Sequence, residues 1–102
     1  MSAWTPAAKV SDCPPGAGLE LVVGERLVAL FNVDGEFFAL DGVCSHQGGP
    51  LGKGALRGCV VTCPWHGWQF DVRSGASQLN ARIAQPRFAV RVEGEQILIE
   101  LP

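Results

Sequence analysis

Apolar residues recur at every second position through long stretches of this chain, and turn residues interrupt them at short intervals. In "LELVVGERLVALFNVDGEFFAL", Leu19–Leu40, the alternation predicts two β-hairpins. One turns near Gly24–Glu25 and the other at Asp34–Gly35, where Asp-Gly suits a type I′ turn. The C-terminal "RFAVRVEGEQILIELP" repeats the design. Phe88, Val90 and Val92 alternate with Ala89, Arg91 and Glu93, and a turn at Glu93–Gly94–Glu95 leads into Ile97, Ile99 and Leu101. No stretch carries a helical period of useful length. The segment from Ala76 to Pro86 reads as a loop, because Pro86 and its mixed polarity fit neither period. The pattern therefore predicts an all-β fold: a small antiparallel sandwich or barrel, with an excursion at about 43–75.

Composition narrows the picture. A length of 102 residues is near the commonest domain size, so 1–102 is expected to form one domain. With 47% hydrophobic and 18% charged residues, the chain can bury a core. The net charge of −2 has acids and bases interspersed, leaving no basic stripe to neutralise nucleic-acid phosphates. The longest apolar runs, such as Leu27–Phe31, are too short to span a bilayer. "MSAWTPAAKVSD" has neither a secretory pattern nor a twin-arginine run, and the expectation is a soluble, cytoplasmic protein away from the membrane.

The excursion carries the candidate chemistry. "CSHQGGPLGKG" at 44–54 and "CPWHGWQFD" at 63–71 hold Cys44-x-His46 and Cys63-x-x-His66, and these account for both histidines of the chain. Thiolate and imidazole suit zinc, copper and iron–sulfur chemistry, and do not suit magnesium or calcium. A structural zinc site usually pairs Cys with Cys and His with His, whereas each half here mixes the two. A Cys/His nucleophile needs a free thiol, a free base and an oxyanion hole, and a duplicated pair without an orienting third residue fits that poorly. The remaining option is a [2Fe–2S] cluster with two cysteines on one iron and two histidines on the other.

That ligation belongs to the Rieske family, and the loops resemble it in order and spacing. "CSHQGGPL" is similar to its first cluster loop and "CPWHGWQFD" to its second, and the strand pattern from about residue 4 to 101 is similar to a stand-alone Rieske-type ferredoxin. The resemblance implies a Rieske-like antiparallel β sandwich or barrel, with a small cluster-binding subdomain formed by two loops. It also implies one [2Fe–2S] cluster on Cys44, His46, Cys63 and His66, with the histidines at the tip facing a redox partner. Two ferric ions, two sulfides and two thiolates sum to zero, so an added electron meets less repulsion than in a four-thiolate centre. Mixed ligation accordingly raises the potential to about −150 to +300 mV, against about −400 mV for plant-type clusters.

Departures from the respiratory subtype refine the expectation. That subtype carries an extra cysteine in each loop, forming a disulfide; the matching positions here are Gly49 and Trp65. It also places a serine and a tyrosine where their hydroxyls bond the cluster sulfurs; Trp68 and Phe70 stand there instead. Without those donors the potential is expected near the low end, about −150 mV. Oxygenases of the family add a mononuclear iron held by two histidines and a carboxylate, and no histidine is left here to build one. The resemblance thus implies a monomeric one-electron carrier, not an enzyme by itself. It would take electrons from a flavin- or iron–sulfur-containing reductase and pass them to a terminal oxygenase. Two further readings are the small Rieske-like subunit of an assimilatory nitrite reductase and a structural zinc-binding interaction module.

Other residues carry plainer expectations. Cys13 and Cys59 read as small apolar residues, Cys59 on a strand entering the second loop. Trp65 and Trp68 are expected to pack around that loop and limit water, and Trp4 to anchor the first strand. Pro86 lies either in a loop covering the cluster or simply at a strand start. Asp71 with Ser74–Gly75 reads as turn chemistry, and Arg57, Arg73, Arg82 and Arg87 as solvated surface charges.

Overall fold

The computed structural model describes residues 3–44, 48–65, 67–80 and 82–101. The predicted hairpins form. Strand β2 (Gly18–Val23) turns at Gly24–Glu25 into β3 (Arg26–Val33), which turns at Asp34–Gly35 into β4 (Glu36–Asp41). Asp34 and Gly35 both have positive φ, 51° and 94°, as a type I′ turn demands. At the C-terminus β9 (Val90–Glu93) turns into β10 (Gln96–Leu101). No α-helix occurs among the described residues; two 3-10 turns, Val10–Asp12 and Leu51–Lys53, are the only helical pieces there.

The strands assemble into three antiparallel sheets. Strand β1 (Ala3–Lys9) pairs with β10, giving the order β1-β10-β9. Pro6 is tolerated because β1 is an edge, and the register slips between Pro6 and Ala8. The second sheet, β2-β3-β4-β8, adds the two-residue strand β8 (Arg87–Phe88) to β4. The third joins β5 (Ala55–Arg57), β6 (Val60–Thr62) and β7 (Gln69–Asp71).

Burial along β3 shows how the layers stack. Val28 and Leu30 join one core with Val23, Ala39, Ile97 and Ile99, facing the β1-β10-β9 sheet. Ala29 and Phe31 join the other, with Leu40, Leu51, Val61 and Phe70, facing the β5-β6-β7 sheet. Alternate residues point to opposite faces, so a strand between two layers is apolar on both, which explains the unbroken run Leu27–Phe31. The second core contains Cys44 and Cys63. The third sheet is thus the scaffold of the excursion, and the middle sheet is its floor.

Candidate metal centre

Both candidate loops grow from strand ends and close in the same way. After β4, the Cys44 N–H donates to the Gly49 carbonyl at 2.9 Å, and the Gly48 N–H returns to the Cys44 carbonyl at 2.8 Å. After β6, the Cys63 N–H donates to the Trp68 carbonyl at 2.7 Å, and the Gly67 N–H returns to the Cys63 carbonyl at 3.0 Å. Each cysteine therefore opens an identical closed turn, with the same residue offsets of four and five. The fourth residue onward, Gly48 or Gly67, has φ +75° in both loops, a conformation that costs any side chain with a Cβ about 1–2 kcal/mol.

The loops also meet. A Cβ placed on Gly49 would lie 2.8 Å from the Cys63 Sγ and 3.0 Å from the Trp65 Cγ. The first loop therefore presses its bare backbone against the second at the cysteine itself. Cys44 and Cys63 are each 2% exposed. His46 and His66 lie outside the described residues, so the structure places two of the four candidate ligands and brings those two into one buried cluster.

The walls on the Cys63 side are apolar. Phe70 is fully buried on β7, and Trp68, packed against the same core, sits with its ring centroid 6.5 Å from that of Phe70. Neither ring offers a hydroxyl. Trp65 departs from expectation: at 59% exposure it lies against Gly49 but projects into solvent, because the position two residues past Cys63 is on the outside of the turn. Leu79, beyond the third sheet, is likewise exposed.

The remaining cysteines separate cleanly. Cys13 lies in the core between the first two sheets, where burial raises its thiol pKa above the ordinary value, and its Sγ donates to the Ala17 carbonyl at 3.5 Å. Cys59 is not on a strand as expected; it occupies the Gly58–Cys59 turn between β5 and β6, because Gly58 takes φ +57° and reverses the chain there. Its thiol faces Asp71 Oδ2 at 3.9 Å, and β6 separates it from Cys63. Cys13 and Cys59 pack into different cores, so they do not pair.

The turn after β7 is built as its residues suggest: the Gly75 N–H donates to the Asp71 carbonyl at 2.7 Å, and Asp71 Oδ1 accepts the Arg73 N–H at 2.9 Å. The hydrogen bond from the Arg73 guanidinium holds the Asp71 carboxyl below its usual pKa. Pro86 lies in the loop directly before β8, and its carbonyl accepts the Asp41 N–H at 2.8 Å. Trp4 anchors β1 at the edge, under the Arg91 guanidinium at 4.5 Å.

Two buried thiols, a glycine cradle that a Cβ would fill and an apolar wall are what a soft, compact iron–sulfur group requires. Comparison with known proteins agrees. Residues 3–99 match the Rieske [2Fe–2S] domain, and the chain belongs to that family. It is 33% identical over 100 residues to the ferredoxin component of the naphthalene 1,2-dioxygenase system of Pseudomonas aeruginosa, covering 96% of this chain and 95% of that one. Among solved structures it superposes on a Sphingomonas yanoikuyae B1 ferredoxin with a TM-score of 0.89 and 27% identity, over 98% of this chain and 100% of the other. A chain of the complex of reduced oxygenase and oxidised ferredoxin in carbazole 1,9a-dioxygenase gives a TM-score of 0.82 at 28% identity, over 94% and 91%. Within the family this protein is a ferredoxin of the kind found in dioxygenase systems: an electron carrier with one [2Fe–2S] cluster, distinct from the oxygenase.

Proposed function

We propose that Cys44, His46, Cys63 and His66 hold the cluster, and that the carrier moves single electrons from a flavin- or iron–sulfur-containing reductase to a terminal oxygenase. The observation that carries this reading is the pair of matched turns, each opened by a buried cysteine with a histidine two or three residues on. When bound, the cluster supplies a one-electron redox change with little rearrangement of its surroundings. The chain's own residues supply the rest. The closed turns hold the two thiolates in place, Phe70 and Trp68 keep water from the Cys63 side, and the three-sheet scaffold makes the site rigid. The oxygenase complex named among the similar structures supports the choice of acceptor. A carrier that alternates between two partners works as a freely diffusing cytoplasmic monomer of one domain.

Iron and acid-labile sulfide analysis tests the ligand set. Wild-type protein is expected to hold about two irons and two sulfides per chain, and each single Ser or Ala replacement of the four residues should lose them. One zinc per chain in a colourless protein would overturn the reading. For the partners, NADH-driven turnover with a reductase and a ring-hydroxylating oxygenase should require this protein. Isolation as a fixed subunit of a flavin and sirohaem reductase would contradict the carrier role.

A further inference from the structure

Gln85 lies in the loop before β8, yet it is only 1% exposed. A buried amide is costly unless hydrogen-bonded, and its bonds show what the residue does. Its Nε2 donates to the Asp41 carbonyl at 2.7 Å and to the Val43 carbonyl at 2.5 Å. An amide nitrogen has two N–H bonds, one for each carbonyl. On a straight strand such alternate carbonyls stand about 6.8 Å apart. Here they are no further apart than those two hydrogen bonds laid end to end, so the chain bends between β4 and Cys44 with the amide inside the bend.

The main chain of Gln85 is pinned as well. Its N–H donates to the Gly75 carbonyl at 2.7 Å, and Gly75 is itself bonded to Asp71, the last residue of β7. One residue thus braces the stem that enters the first loop against the strand that leaves the second. We infer that Gln85 is a positioning residue for Cys44: its amide fixes the bend that sets the direction from which the Cys44 thiolate enters the cluster site. This rests on Cys44 being a ligand. A lone glutamine in a loop carries no sequence pattern, which is why reading the sequence passed over it.

The test compares Gln85→Met, similar in length but without donors, with Asn32→Leu. Asn32 is also buried and bonded, to the Cys13 carbonyl at 2.8 Å and the Gly35 N–H at 2.7 Å, at a distance in the chain from both loops. The readouts on cluster-loaded protein are melting temperature, the rate of iron release to a chelator, and the electron paramagnetic resonance spectrum of the reduced form. Both variants should melt lower. Only Gln85→Met should release iron about tenfold faster with shifted g-values. Wild-type release and spectrum in Gln85→Met, or equal changes in Asn32→Leu, would overturn the inference. Should Gln85→Met fail to fold, Gln85→Asn keeps the amide but shortens its reach by one methylene; the same two changes are expected, and wild-type values refute it. A Cys44→Ser protein with full iron content and an unchanged spectrum would remove the ligand assignment, and the inference with it. Loss of the cluster in Cys44→Ser alongside wild-type behaviour of Gln85→Met would remove the brace alone.

Discussion

At Gly49 a single hydrogen stands where a methyl group would press on the Cys63 sulfur at 2.8 Å and on the Trp65 side chain. Gly49→Ala is therefore expected to push the two loops apart, destabilising the protein by about 1–3 kcal/mol and lowering its iron content. Urea denaturation and iron analysis check this, and full iron content with unchanged stability would mean the contact does not matter. A second residue-scale effect depends on pH. The Asp71 carboxyl has its pKa lowered by the Arg73 hydrogen bond, so the folded state binds its proton less readily than the unfolded state does. That stabilisation is complete above the unfolded value of about 3.9 and disappears as pH falls through the lower folded value. Arg73→Leu should thus have a lower urea midpoint than wild type at pH 7, with the gap closing as the pH falls below the unfolded value of about 3.9 and through the lower folded one. At this scale the Cys/His spacing could be read from the sequence because it is local, and of the four proposed ligands the structure brings together Cys44 and Cys63. It did not reveal the exposure of Trp65, which depends on which side of a turn a residue falls, or the placement of Gln85, which depends on segments more than forty residues apart.

Strand β3 shows what an element adds. Its two faces belong to different cores, one containing Leu30 and the other Phe31 with the two loop cysteines. Truncating either residue leaves a cavity, costing about 2–5 kcal/mol for Leu30→Ala and about 3–5 kcal/mol for Phe31→Ala. The two should differ in a second respect. Phe31→Ala is expected to change the visible absorption or circular dichroism of the bound cluster, while Leu30→Ala leaves it as in wild type. Equal spectral effects would show that the two cores are not separate. The hairpins β2–β3, β3–β4 and β9–β10 could be read in advance, since an Asp-Gly or a glycine between alternating runs is a local signal. The pairing of β1 with β10 and of the two-residue β8 with β4 was not, because each joins distant segments that carry no mutual pattern. The three-layer stack follows from those pairings and was equally hidden, although the doubly apolar run at Leu27–Phe31 is its trace in the sequence.

The whole molecule is a three-sheet scaffold whose two loop cysteines lie in the core between the middle and third sheets. Its net charge is −2, and no helix among the described residues is long and apolar enough to cross a membrane. Its working potential integrates the ligand set and the surroundings. The proposed His46 and His66 ligation should raise it above plant-type clusters, and the hydroxyl-free rings of Trp68 and Phe70 are expected to keep it low within the Rieske range. The midpoint potential of the purified protein by film voltammetry at neutral pH therefore tests both features together. A value near about −150 mV is expected; a value near −400 mV would contradict mixed Cys/His ligation, and one approaching +300 mV would contradict a cluster without hydroxyl donors.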